Sequence, residues 1–314
     1  MKFRIIFLKK KHIYYAVLSL IIIILLVVLL LTKKSVSTFN TLVDNNKIIQ
    51  ADLTGDGKKD ILYIKVENGK YYMEVNDGKN NYYLETSKNL PTAGLYDANN
   101  PMKITLMDIT RDKVPEIFTQ SSENGKGVQH VFIYSDGIFK DMFCDSNKII
   151  GFVDVSNNKT PKFLTGKITN KNIELSNYIF LPDQKKLENF SYNYKDNYMG
   201  KDNVYSFIKL IEGLPQSASN KLENIFYPGL TEENISVIER LAQDNNTYVF
   251  QNCVFKDIKS DNNGEISEIL WTINFKGTSI SDKNKIKNYT LNLLLKPSNK
   301  TEDNKAFKIY SISF

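Results

Sequence analysis

The feature that most narrows the fold is a pattern that recurs three times. Asp52 in "ADLTGDGKKDIL", Asp108 in "LMDITRDKVPEIF" and Asp154 in "GFVDVSNNKTPKFLTG" stand 56 and 46 residues apart, a period in the range of β-blade repeats. Seventeen residues after each aspartate comes a turn: Asn68-Gly69, Asn124-Gly125 and, in the third copy, Asn170-Lys171. A second turn follows 25 to 29 residues after it: Asp77-Gly78, Asp136-Gly137 and Pro182-Asp183. Asn-Gly and Asp-Gly between alternating apolar runs such as "ILYIKV" and "VFIYS" mark hairpins, because type I′ turns need positive φ. Each unit therefore reads as loop, strand, turn, strand, turn, strand.

Outside the repeats, the formal charge of +6 is misleading. Residues 1–34 hold seven Lys/Arg and no acid, which leaves 34 basic against 35 acidic side chains after Lys34. The body is close to neutral and offers no field for a polyanion, so nucleic acid is excluded as a partner. Ile13 to Leu31 carries no charge over 19 residues, near the roughly 20 apolar residues that cross a bilayer core of about 30 Å. Five Lys/Arg precede it and two follow. That pattern predicts an uncleaved single-pass anchor over 13–32, with a cytoplasmic tail (1–12), a linker (33–44) and an extracytoplasmic bulk at the cell membrane.

The aspartate loops and the hairpins behind them resemble the FG-GAP/VCBS repeats, the blades of integrin-α-like β-propellers, over about residues 45–198. The resemblance implies an all-β domain of three propeller-like antiparallel blades, arranged as a partial propeller or stack. It also implies Ca2+ bound through positions 1, 3, 5, 7 (a carbonyl) and 9 of a nine-residue loop. Carried over, the first loop offers Asp52, Thr54, Asp56, the Lys58 carbonyl and Asp60. The second offers Asp108, Thr110, Asp112, the Val114 carbonyl and Glu116. The third would use Asp154, Ser156, Asn158 and the Thr160 carbonyl, but Lys162 sets a cation where an anion is needed. Calcium takes six to eight oxygens, a set that three carboxylates, a hydroxyl, a carbonyl and water can supply. An EF-hand is excluded, since its twelfth position here is Tyr63. The competing reading stays open at this stage: the same Asp and Thr residues close Asx and ST turns without any metal.

From about residue 199 the pattern changes. "VYSFIKLIEGL" sets Val204, Phe207, Ile208 and Ile211 on one helical face, and "NKLENIF" reads as a short second helix. In "TEENISVIERLAQDNN", Thr231 is an N-cap candidate, with Ile235, Ile238 and Leu241 as the buried stripe. Four strand-like runs follow, the first two joined at Asn263-Gly264. This order resembles the NTF2-like cone and implies a C-terminal α+β domain over 199–314. Cys144 and Cys253 read as small buried residues, Trp271 as a core anchor, and Asp257 and Glu268 as a solvated strand face. The two histidines, His12 and His130, lie outside this region. No acid/base pair, nucleophile or phosphate loop stands out, so the expectation is not an enzyme.

Together these readings predict a membrane-anchored extracytoplasmic binding or scaffold protein with calcium-stabilised repeats, serving adhesion or cell-envelope interaction. Its partner would be a protein or polysaccharide, with Tyr71, Tyr72, Tyr82 and Tyr83 as a sugar-stacking row of which half turns into the sheet. The alternatives are a structural subunit of an envelope channel or a sporulation- or conjugation-type assembly, and an NTF2-like enzyme.

Overall fold

A computed structural model describes residues 10–31, 39–42, 48–157, 160–190, 198–216, 224–228, 232–298 and 307–314. The chain divides into two units, Met1–Ser37 and Thr38–Phe314.

In the first unit, α1 (Lys10–Leu31) is a 22-residue helix. Among the described residues, however, no helix is long and apolar enough to cross a membrane. A span needs about 20 consecutive apolar residues. Helix α1 opens on Lys10, Lys11 and His12, polar residues that a spanning stretch would have to leave outside the apolar core. The transmembrane helix, and the single-pass cell-membrane localisation drawn from it, are corrected accordingly.

The second unit is mostly β. Strands β2 (Ile48–Ala51), β3 (Asp60–Glu67), β4 (Lys70–Asn76) and β5 (Asn81–Tyr83) form an antiparallel meander. A second sheet holds β6 (Lys103–Met107), β7 (Glu116–Glu123), β8 (Lys126–Ser135) and β9 (Ile138–Asp145), with β1 (Phe39–Leu42) at its edge. The third meander comprises β10 (Ile149–Val153), β11 (Lys162–Ile168), β12 (Ile173–Leu181) and β13 (Lys186–Asn189). The turns follow their chemistry: Asn68-Gly69, Asn124-Gly125 and Asp136-Gly137 all take positive φ at both residues, the type I′ geometry that matches strand twist.

The meanders stack because their strands alternate. Ile117 and Phe132 pack with Leu62, Ile64 and Val75 of the first sheet, while their neighbours Phe118, Val131 and Ile133 pack with Ile150, Phe152 and Phe163 of the third. The second sheet is therefore apolar on both faces and lies between the other two. Among the described residues no sheet closes on itself.

The C-terminal strands do not build a separate α+β cone, which corrects the remainder of the expected fold class. β14 (Asn246–Ser260) pairs in parallel with β10, so β14, β15 (Ile266–Ser279), β16 (Ile286–Pro297) and β17 (Phe307–Ser313) extend the third meander into one eight-stranded sheet. Helices α2 (Lys201–Glu212) and α3 (Glu232–Gln243) add to its core. Val204, Phe207, Ile208 and Ile211 are buried on α2 as their spacing predicts. On α3, Ile238 and Leu241 are buried, but Ile235 is exposed and Val237 takes its place. Thr231 and most of "NKLENIF" lie outside the described residues. Trp271 is fully buried, stacked on Phe255 at 4.1 Å, and donates Nε1–H to the Met199 carbonyl at 3.1 Å. Both cysteines are free, Cys253 buried and Cys144 half-buried.

A polar seam joins the second sheet to β14. Lys103 Nζ donates to Asn252 Oδ1, Asn252 Nδ2 to Asn100 Oδ1 at 2.8 Å, and Asn274 Nδ2 to Asn252 Oδ1 at 3.1 Å. Burial without a carboxylate partner pushes the Lys103 amine down to about 7. Its folded-state value thus lies below its unfolded one near 10.5. The stabilisation is complete above the unfolded value and is lost as pH falls toward 7. Lys103→Met should abolish this slope. In urea unfolding, the wild type should gain roughly 2 kcal/mol on the variant between pH 7 and 9. Parallel pH profiles would show that Lys103 is not buried as an uncharged amine.

Candidate metal centre

The first two aspartate loops have the same backbone. Residues 52–60 join β2 to β3, and 108–116 join β6 to β7. At the fourth and sixth positions φ is positive: +78° at Gly55 and +84° at Gly57, +67° at Arg111 and +76° at Lys113. Glycine adopts this freely, whereas Arg and Lys pay about 1 kcal/mol or more each. The compensation is local. Asp108 accepts from the Arg111 N–H at 2.6 Å and the Lys113 N–H at 3.0 Å, as Asp52 accepts from Gly55 at 2.7 Å and Gly57 at 2.9 Å. Asp56 and Asp112 each accept the N–H of the seventh position, Lys58 and Val114, at 2.8 Å. The last residue closes each loop: Asp60 takes the Leu53 N–H and Glu116 the Ile109 N–H, both at 2.7 Å. Thr54 adds its N–H and hydroxyl to Asp60 at 2.8 and 3.0 Å, and the Thr110 hydroxyl lies 3.5 Å from Asp108 and also bonds Glu116. The loops also touch, since a Cβ on Gly55 would come within 2.7 Å of Val114 Cγ2.

They differ in how the carboxylates converge. One oxygen each of Asp108, Asp112 and Glu116 lies within 4.8 Å of the others. Ligands at 2.3–2.6 Å from a shared calcium are separated by at most about 5 Å, so the spacing fits one ion. Asp52, Asp56 and Asp60 do not form such a group among the described residues. Burial pushes the Glu116 carboxyl up to about 8, opposed by the Ile109 and Thr110 hydrogen bonds and reinforced by Asp108 and Asp112. Burial also raises Asp108. In the first loop Asp60 is 1% exposed and raised by burial, and its Oδ1 has no hydrogen-bond partner among the described residues.

The third loop reaches the same end without a cation site. Lys162 Nζ lies 2.5 Å from Asp154 Oδ2, so an ammonium already neutralises the first position. The missing ninth-position acid is replaced from β14. Asp257 accepts the Val155 and Ser156 N–H groups, each at 3.1 Å, and the Ser156 hydroxyl at 2.5 Å. These are the counterparts of the Leu53 and Thr54 donors on Asp60. Asp257 is 3% exposed, so its assignment to a solvated face is corrected. Its partners lie about a hundred residues away in sequence, and only the β10–β14 pairing brings them together.

With this geometry in place, the comparisons add no relatives: no protein-family model and no curated protein matches the chain.

Asp257→Ala leaves three donors without their acceptor and should cost about 2–4 kcal/mol. Asp257→Asn should fall between the wild type and the alanine variant. Urea titration of both measures it, and a loss below about 0.5 kcal/mol for alanine would mean that water replaces the carboxylate at no cost.

Proposed function

We propose that the chain is a non-catalytic binding scaffold of FG-GAP/VCBS-like repeats, stiffened by a calcium ion at the second loop. The observation that carries this reading is the convergence of Asp108, Asp112 and Glu116 within 4.8 Å. Three carboxylates this close repel one another, and a divalent cation relieves the repulsion while tying both ends of the loop together. Asp108, Asp112 and Glu116 would hold it, with the Thr110 hydroxyl and the Val114 carbonyl next in the donor set. The ion supplies charge neutralisation and rigidity, not catalysis. In the first loop, the free Oδ1 of Asp60 and the two glycines suit a weaker site once the carboxylates draw together. A stack of sheets tied at its loops suits a protein whose work is to present a surface to a protein or polysaccharide partner.

A thermal melt of the full chain in millimolar calcium and in chelator tests the reading. Binding to the native state alone stabilises by about 2.7 kcal/mol at a hundredfold excess over Kd, or roughly 5–10 °C for a unit of this size. Asp112 is exposed, so Asp112→Asn should fold normally and lose the shift, while Asp56→Asn should retain most of it. An unchanged wild-type melt would reduce both loops to turns.

A further inference from the structure

On the first sheet, Tyr71 and Tyr82 turn inward. Tyr71 is buried, with its hydroxyl accepting the Met102 N–H at 2.9 Å, and Tyr82 packs edge-on against Tyr134 and Phe139. Tyr72 and Tyr83 face outward, 49% and 69% exposed. They share a face because Glu74 pairs with Tyr83 across β4–β5 and lies two residues from Tyr72. Between them opens a cavity of about 360 Å³, also lined by Lys70, Glu85, Thr86 and Thr92. That volume lies in the range of small-ligand sites. Lys70, Glu85 and Thr86 make no side-chain hydrogen bond or ion pair among the described residues.

The far wall, formed by the segment after β5, is held from the second sheet. Asp141 accepts the Ser87 N–H at 2.7 Å, His130 Nε2 bonds the Thr92 carbonyl at 2.8 Å, and His130 Nδ1 bonds Asp141 at 2.7 Å. Ser121 Oγ donates to the Ala93 carbonyl at 2.6 Å. His130, Asp141 and Ser121 are buried, so the wall is fixed before any ligand arrives.

We infer that this cleft binds a neutral saccharide. Exposed tyrosine rings offer an apolar face and a polar edge at low entropic cost, which suits the C–H faces and hydroxyls of a sugar. The one lysine and one glutamate in the lining cancel in charge, which favours neither an anion nor a cation and leaves donors and acceptors for hydroxyl groups. The inference deepens the scaffold reading by naming its ligand class, and it does not depend on calcium.

The test is calorimetric titration of the full chain with neutral cello-, chito-, malto- and mannotrioses, in calcium and in chelator. At least one trisaccharide should bind, and Tyr72→Ala and Tyr83→Ala should each weaken it by about tenfold or more. Both side chains are well exposed, so their thermal midpoints should stay near that of the wild type. Glu85→Gln, which keeps the shape of the cleft, should alter affinity without altering the midpoint. No binding across the panel at 10 mM (roughly the −3 kcal/mol limit of a specific site), or undiminished binding in both tyrosine variants, overturns the inference. Binding that is equal in chelator, with no calcium-dependent melt, would keep the cleft and remove the calcium reading; a calcium-dependent melt with no binding would do the reverse.

Discussion

The parallel pairing of β10 with β14 is the contact on which the rest of the second unit depends. Ile149 stands opposite Cys253 and Phe152 opposite Lys256, and the Cys253 N–H donates to the Lys148 carbonyl at 2.9 Å. The side-chain period of two then sorts the faces of β10. Ile149 and Val153 enter the core with α2 and α3, while Ile150 and Phe152 enter the core shared with the second sheet. A slip of one residue would exchange these sets. Gly151 shows how tightly the register is fixed, because a Cβ there would lie 2.1 Å from the Phe255 ring that stacks on Trp271. The same pairing carries Asp257 to the third loop and Asn252 to Lys103.

Seen together, the first two loops share one backbone, and the third, where Asp154 itself takes positive φ and Asn157 does not, reaches a similar closure with different charges. The first two bend around a first-position aspartate that accepts the fourth and sixth N–H groups, and all three give the second-position N–H to a carboxylate. In the second loop that carboxylate is Glu116, whose longer side chain ends near Asp108 and Asp112. In the first it is Asp60, which spends Oδ2 on Leu53 and Thr54 and leaves Oδ1 buried without a donor. In the third, the carboxylate comes from another strand and an ammonium supplies the positive charge. One extra methylene at the ninth position thus separates a loop whose acids meet from one whose acids do not.

Turn chemistry made much of this legible. Asn-Gly and Asp-Gly pairs mark the hairpins because few residues tolerate positive φ, and the recurring aspartates mark the loops between sheets. What could not be read was non-local. Nothing near Asp257 in the sequence signals that its partners are Val155 and Ser156, and nothing in four alternating runs shows that they continue an existing sheet instead of curling into a cone. Ile235 was misplaced for a related reason: Val237 and Ile238 both fit a helical stripe, and only the packing of α3 selects between neighbouring faces. Among the candidate ligands, residue type at each position was readable, but whether the oxygens meet depends on side-chain length.

The first sheet is the end of the stack, and that position bears on its outer face. An array of repeats must stop with a surface that needs no further repeat to cover it. Much of this face meets that demand: Lys65 is paired with Glu74 at 2.6 Å, and Asn76 and Asn81 are joined across β4–β5. Tyr72 and Tyr83 depart from it, since either could be polar at no cost to the cores beneath. Beside them the wall is secured by His130, whose two ring nitrogens are both engaged, Nδ1 with the Asp141 carboxyl at 2.7 Å and Nε2 with the Thr92 carbonyl at 2.8 Å. The pairing of His130 with Asp141 is buried and hydrogen-bonded at both ring nitrogens, as polar groups removed from water must be. Here it fixes a surface segment, Ser87 to Thr92, whose contribution to the cores is small and whose contribution to the cleft is an entire side.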